Sequence, residues 1–378
     1  MIDPQTASAQ IDLAALAHNV RAVRDHVAPA QVMATVKADA YGHGLLECAA
    51  AAREAGADWL GVASMGEALA LREAGDTGRI LSWLHGPDED FAPAVADEID
   101  VTASSLDQLS SALMAAAICE KPARVQLELD SGMGRAGCSP ADWEQLCSAA
   151  AECESTGGIK VTGVWTHLAT ADQPGSQVLN DQQQVFDRAV AQARAAGLEP
   201  EVVHLSNSAA ALTQPELRHD LVRLGIAMYG IDPGGELIAM SGLDLQPVMR
   251  LRAQLVQVRE VPKGAGVSYG HTWHAPQDTR LGLVPLGYGD GILRMAGNRV
   301  EVHVGGRRVP IVGRVCMDQF VVDLGPDASD TVGDDVILFG GDGPRAEDWA
   351  EACETIGYEI VTRIGTRVPR VHQGVEDE

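Results

Sequence analysis

Lys37 stands directly after an apolar run, in Val-Lys-Ala-Asp-Ala-Tyr-Gly-His-Gly (36 to 44), and is one of four lysines against twenty-four arginines. An amine held away from water gives up its proton more readily, and the neutral amine attacks aldehydes to form a Schiff base. A salt-bridged structural lysine is the plain alternative. Three further apolar runs end in reactive residue types: Asp-Ser-Gly-Met-Gly-Arg (130 to 135), Trp-Thr-His-Leu (165 to 168) and His-Leu-Ser-Asn-Ser-Ala-Ala (204 to 210). In the last of these, Asn207 or Ser208 is placed to cap a helix, whose free N–H groups either receive a phosphate or are satisfied by ordinary capping. Arg223-Leu-Gly-Ile joins a permanent cation to Gly225, whose backbone can approach a phosphate closely.

These residues need a scaffold that gathers strand ends. Between residues 31 and 226, eight short apolar runs alternate with amphipathic stretches: 31–36, 59–64, 79–84, 100–104, 124–129, 161–166, 201–205 and 221–226. Helical periodicity falls between them, at 45–55, 106–119, 143–153 and 182–195. Eight βα units in about 200 residues predict an α/β fold with an N-terminal (β/α)8 TIM-type barrel, whose carboxyl-end loops build the site. A doubly wound open sheet is the alternative. Before the first unit, Gln-Ile-Asp-Leu predicts a short strand ahead of the barrel, with Asp12 as N-cap of a helix. After residue 240 the pattern turns to period two, as in Met-Arg-Leu-Arg-Ala-Gln-Leu, which predicts a mainly β C-terminal domain with one late helix at 346–356. Gly-Ile-Asp-Pro-Gly-Gly (230–235) is the linker, giving domains 1–235 and 236–378.

The chain has 378 residues, 28 basic and 53 acidic, with a formal charge of −25 spread along its length. Such a surface repels phosphate backbones and anionic lipid, so neither nucleic acid nor a membrane is an expected partner. With no signal-like N-terminus and no long apolar stretch, a cytoplasmic protein is expected. Seven cysteines without a Cys-x-x-Cys pair point to reduced thiols and no metal site.

The reactive segments also have company. In order along nearly the whole chain, VKADAYGHG, DSGMGR, THLATAD, SNSAA, RLGIAMYG, SYGHTW (268–273), PLGYGDG (285–291), GRVCMDQ (313–319) and TRVPR (366–370) resemble the alanine racemases. The resemblance implies a homodimer with each active site built from both chains, acting on a small amino acid, with pyridoxal 5'-phosphate carried on Lys37. By the same resemblance Tyr41, Asn207, Ser208, Gly225, Ile226 and Tyr358 hold the phosphate. His167 and Arg135 flank the ring, and Arg223 faces its pyridine nitrogen. Because arginine only donates, that nitrogen stays unprotonated, which disfavours transamination. Racemisation requires two bases on opposite faces. Lys37 is one, and Tyr269 from the second subunit matches the other. A free phenol titrates near pH 10, so donors around it are needed to favour its anion.

Arg135 and the Met317 N–H match the substrate-carboxylate positions, with Cys316 and Asp318 shaping that loop. Asp172, Tyr288, Arg294, Arg314 and Asp318 match an entrance corridor. One residue departs from the family pattern: Glu128 stands where many members have a lysine modified to a carbamate. Its carboxylate is expected to pair with Arg135, directly or through water. Substrate breadth stays open between alanine racemase and a broader or serine racemase. A related decarboxylase fails for want of a Glu-Pro-Gly-Arg motif, and a non-catalytic cofactor carrier would have no use for the second domain.

Overall fold

The computed structural model describes residues 1–374. Strand β1 (Ala7–Asp12) leads into helix Leu13–Val27, capped by Asp12, whose carboxylate accepts from the Ala15 N–H at 2.9 Å. Apolar runs without alternation suit strands covered on both faces, and eight of them follow. They are β2 (Gln31–Thr35), β3 (Trp59–Val62), β4 (Arg79–Ser82), β5 (Asp100–Ala103), β6 (Ala123–Glu128), β7 (Ile159–Trp165), β8 (Val202–His204) and β9 (Leu221–Leu224). All pair in parallel, in the order β8-β7-β6-β5-β4-β3-β2-β9. Where β8 meets β9, the Asp220 N–H donates to Val203 O at 3.1 Å and the Arg223 N–H to Ser206 O at 2.9 Å. This sequential ring, returning from β9 to β2, is a barrel and excludes the doubly wound alternative.

The amino end of the barrel is closed by charge. Asp100, fully buried, accepts from Arg79 Nη2 and Arg124 Nε at 3.0 Å each and from the Thr162 hydroxyl. Arg79 also pairs with Glu201 at 2.6 Å and lies 4.1 Å over the Trp59 ring. Asp100→Ala leaves Arg124 without an ion pair and Arg79 with Glu201 alone. Because both guanidiniums keep some water, the expected loss is about 2–3 kcal/mol, below the full penalty for breaking a buried pair. Urea unfolding measures it, and a loss under about 1 kcal/mol would show that water already satisfies them.

The C-terminal strands are β10 (Met249–Gln254), β11 (Gln257–Val261), β12 (Gly266–Val267), β13 (Trp273–His274), β14 (Thr279–Val284), β15 (Glu301–Val304), β16 (Arg307–Val312), β17 (Phe320–Gly325), β18 (Asp335–Phe339) and β19 (Arg370–Gln373). Alternating burial in β10 and β17 matches their period-two sequences. Apart from the β12–β13 ribbon they form one sheet, β11-β14-β17-β16-β15-β18-β10-β1-β19. Strand β1, which the sequence placed ahead of the barrel, thus joins this sheet. It runs antiparallel to β10 and parallel to β19. Its buried Ala7, Ala9 and Ile11 carry the alternation of this sheet, not the continuous apolarity of the barrel.

The late helix also differs from expectation. It spans Ala346–Ala352, and a second helix, Gly357–Thr362, follows. Glu354 at φ 58° breaks the run. Gly357 then fits against Ile231, where a Cβ would lie 2.7 Å from Ile231 Cγ2. The second helix carries Tyr358 to the barrel. No helix among the described residues is long and apolar enough to cross a membrane.

Candidate active site

Lys37 follows β2 and opens an unusual turn. Ala38, Asp39, Ala40 and Tyr41 all adopt left-handed backbone, with φ of 51° to 55°. Non-glycine residues there cost roughly 1–2 kcal/mol each, so the surroundings must hold them. Asp39 Oδ1 accepts from the Leu45 N–H at 2.8 Å. From the far end of the chain, Arg370 Nε donates to Gly42 O at 2.9 Å and His372 Nε2 bonds His43 O at 2.8 Å. The Lys37 Nζ lies 5.7 Å from the Trp83 ring centroid. Burial lowers its proton affinity, the cations Arg135 and Arg223 lower it further, and Glu67 opposes them.

Arg223 is the hub of the mouth. Its guanidinium donates at 3.0 Å to Nδ1 of both His204 and His167, and to the carbonyls of Thr166 and Leu205. It also lies 4.8 Å over the Trp165 ring. Burial draws its pKa down to about 10, so it stays charged at neutral pH. A guanidinium can only donate, so each imidazole accepts at Nδ1 and keeps its proton on Nε2. Burial and the Arg223 charge hold both histidines neutral. His204 passes its Nε2–H to Gln126 Oε1 at 2.8 Å.

Beside this hub lies a ring of hydroxyls. The Tyr41 ring is 5.0 Å from Tyr229 and 6.2 Å from Tyr358, and burial raises the proton affinity of both Tyr41 and Tyr358 phenols. Asn207 caps the helix Ser208–Thr213 by accepting from the Ala210 N–H. Ser208 Oγ accepts from the Gly225 and Ala227 N–H groups at 2.8 and 3.4 Å, which leaves its hydroxyl proton to donate elsewhere. Gly225 is tightly approached: a Cβ there would lie 2.7 Å from Tyr41 Oη. Ile226 follows, buried. Asp172 lies beside Gly234 and Gly235 of the linker and raises the Tyr358 phenol electrostatically.

Arg135 is exposed at the end of a loop folded around Asp130, whose carboxylate accepts from the N–H groups of Gly132, Met133 and Gly134. Glu128, buried, has no ion pair among the described residues. Its Oε2 accepts instead from Ser104 Oγ at 3.2 Å. The direct bond to Arg135 is thus not made; the shorter carboxylate finds its partner directly after the adjacent strand β5. Burial lifts its pKa to about 7 against the pull of Ser104, Arg223 and Arg135. A carboxyl raised in the folded state stabilises the fold below its unfolded pKa, and that stabilisation is lost as pH climbs toward 7. Between pH 5 and 8 the wild-type melting temperature should therefore fall more than that of Glu128→Gln. Equal slopes would show Glu128 ionised throughout.

The remaining predicted residues gather elsewhere, on the β-domain. Tyr269 is 72% exposed. It shares a cavity of about 350 Å³ with Ser268, Cys316, Met317, Asp318 and Gln319. Arg314 lies against Gly270, and Ser268 Oγ donates to Arg314 O at 2.7 Å. Tyr288 and Gly289 donate backbone N–H groups to Cys316 O and Met317 O, joining the two loops. Arg294 begins the short helix Arg294–Ala296 nearby in sequence. Arg367 pins the arrangement, pairing with Asp318 at 2.8 Å and with buried Asp290 at 3.0 Å. No hydrogen bond, ion pair or ring contact among the described residues joins Tyr269 or Met317 to the Lys37 mouth. Sequence reading quoted Trp165, His204, Arg367 and Arg370 within its motifs but gave them, like Trp83, no role. The two tryptophans carried a signal, since Trp165 ends β7 and Trp83 directly follows β4.

A barrel mouth that holds a lysine of lowered proton affinity beside two arginines is the arrangement of an amine-reactive enzyme site. The model of the alanine racemase N-terminal domain matches residues 11–233, and that of the C-terminal domain matches residues 248–372. Alanine racemase of Streptomyces coelicolor is 51% identical over 97% of this chain and 95% of its own. That of Thermobifida fusca is 48% identical, over 97% and 98%. The crystal structure of alanine racemase from D-cycloserine producing Streptomyces lavendulae superposes with a TM-score of 0.96 at 48% identity, covering 100% of this chain and 99% of the other. The chain belongs to the alanine racemase family.

Proposed function

We propose that the protein interconverts L- and D-alanine by exchanging the α-proton, with pyridoxal 5'-phosphate as cofactor, and that it supplies D-alanine for peptidoglycan in the cytoplasm. The observation that carries this reading is the Lys37 amine at the barrel mouth beside a cradle of hydroxyls, its proton affinity lowered by burial and two arginines. The residues fit the cofactor. A side chain at Gly225 would fill the cradle next to Tyr41 Oη and Ser208 Oγ, so only glycine leaves room there for a phosphate.

When bound, pyridoxal phosphate supplies an aldehyde that captures amines and a ring that withdraws electrons from the substrate Cα. Tyr41, Ser208 and Tyr358, with Asn207 and the backbone at Gly225 and Ile226, would hold its phosphate. Arg223 would face the pyridine nitrogen as a donor. Lys37 Nζ removes and returns the α-proton on one face. Tyr269 of a second copy does so on the other, where His167 and Arg223 are the donors available to favour its phenolate. Arg135 and the Met317 N–H receive the substrate carboxylate. Asp172, Tyr288, Arg294, Arg314 and Asp318 line a polar entrance suited to a small zwitterion. We read residues 1–235 and 236–378 as the two functional halves, one giving Lys37 and the other giving Tyr269 to its partner.

The test is loss of optical rotation from L- and D-alanine, alongside a panel of other amino acids, with pyridoxal phosphate present. No racemisation of alanine rules the reading out. Serine turned over as fast as alanine would make the enzyme a broad-specificity racemase, since a single hydroxyl gives only modest discrimination.

A further inference from the structure

Glu67 is the third residue of helix Met65–Glu73. Its Oε2 accepts from the N–H groups of Ala63 and Ser64 at 3.1 and 3.0 Å, and Ser64 Oγ accepts from the Glu67 N–H at 3.3 Å. That is a complete capping box. The second oxygen is not needed for it, yet Oε1 accepts from the Ala38 N–H at 2.6 Å. Ala38 follows Lys37 and is the first of the four left-handed residues. One carboxylate thus ties the end of β3 to the end of β2, where the lysine emerges.

We propose that Glu67 is a positioning residue for Lys37, fixing through the Ala38 N–H the point and direction at which the lysine side chain enters the barrel mouth. This rests on the reading of Lys37 as the cofactor lysine. An acceptor anchored by the neighbouring helix holds the strained turn more firmly than water would, because its own oxygens are already oriented. Glu67 also sets charge at the mouth. The Lys37 amine faces the cations Arg135 and Arg223 and the neutral His167, and the Glu67 carboxylate opposes the two arginines.

The test compares wild type with Glu67→Ala and Ser64→Ala. Both substitutions break the capping box, and only the first frees Ala38. Three quantities are read: melting of the cofactor-free protein, affinity for pyridoxal phosphate, and the pH midpoint at which borohydride fixes that aldehyde on Lys37. Both variants should melt lower than wild type. Glu67→Ala alone should bind pyridoxal phosphate at least about tenfold more weakly, as removal of an orienting outer contact does at other sites. Its midpoint should move to lower pH, because losing an anion makes the ammonium form less favourable. If the alanine variant does not fold, Glu67→Gln is read instead, and its midpoint must show the same shift. Wild-type affinity and midpoint in the Glu67 variant would overturn the proposal, as would an equal loss of affinity in Ser64→Ala. Wild-type protein that yields no adduct on Lys37 overturns the cofactor reading itself, a distinguishable result.

Discussion

Lys37→Ala and Tyr269→Phe proteins, each nearly inactive alone, should regain about a quarter of wild-type racemase activity when mixed under conditions that allow subunits to exchange. On the proposed roles, the first substitution removes both the cofactor's anchor and one base, a loss of roughly 10⁴-fold or more. In a site shared between copies, a mixed dimer collects both defects in one site and leaves the other intact. At statistical mixing, half the dimers are mixed and each has one working site of two. The structure gives the reason to expect sharing: Lys37 lies at the barrel mouth, Tyr269 is 72% exposed on the β-domain, and no contact joins them within the chain. A mixture as inactive as its components would place Lys37 and Tyr269 of one chain in the same site.

The second large effect separates the two directions of the reaction. Tyr269→Phe should slow solvent-deuterium incorporation starting from L-alanine by roughly 10²–10³-fold, and from D-alanine far less. Each enantiomer presents its α-hydrogen to one face, and only one face loses its base. On the proposed assignment, the amine of Lys37 still serves the other. Equal losses from both enantiomers would remove the two-base assignment and leave Tyr269 a binding residue.

The parts of this molecule that are local in sequence were the parts that could be read from it. Eight apolar runs gave eight strands because a strand covered on both faces needs no more than continuous apolarity. Asp12 was recognisable as a cap because a cap acts three residues away. What stayed illegible were the partners that lie far along the chain. Ala7, Ala9 and Ile11 alternate over only three positions, and nothing near them says that β10 and β19 will lie on either side. Glu128 was singled out, but its partner Ser104 was not. Ser104 reaches it through the register of β5 against β6, which periodicity does not specify. His204 and Gln126 were illegible for the same reason: their pairing depends on which side chains of separate strands share one layer inside the barrel. The left-handed turn after Lys37 has no local signature either, since Ala-Asp-Ala-Tyr contains no glycine to announce it.

That turn has a consequence for how the molecule comes into being. Its clamps, Arg370 and His372, sit 328 and 329 positions beyond the carbonyls they hold. Protein synthesis proceeds from the amino end, and early domains fold while later ones are still being made. The strands of the barrel can close around Met33, Trp59 and Leu81 long before β19 exists. The two bonds that Arg370 and His372 give the lysine turn cannot form until β19 has been made and has paired beside β1. On the proposed role of Lys37, competence to hold a reactive aldehyde is thereby deferred until β19 is in place.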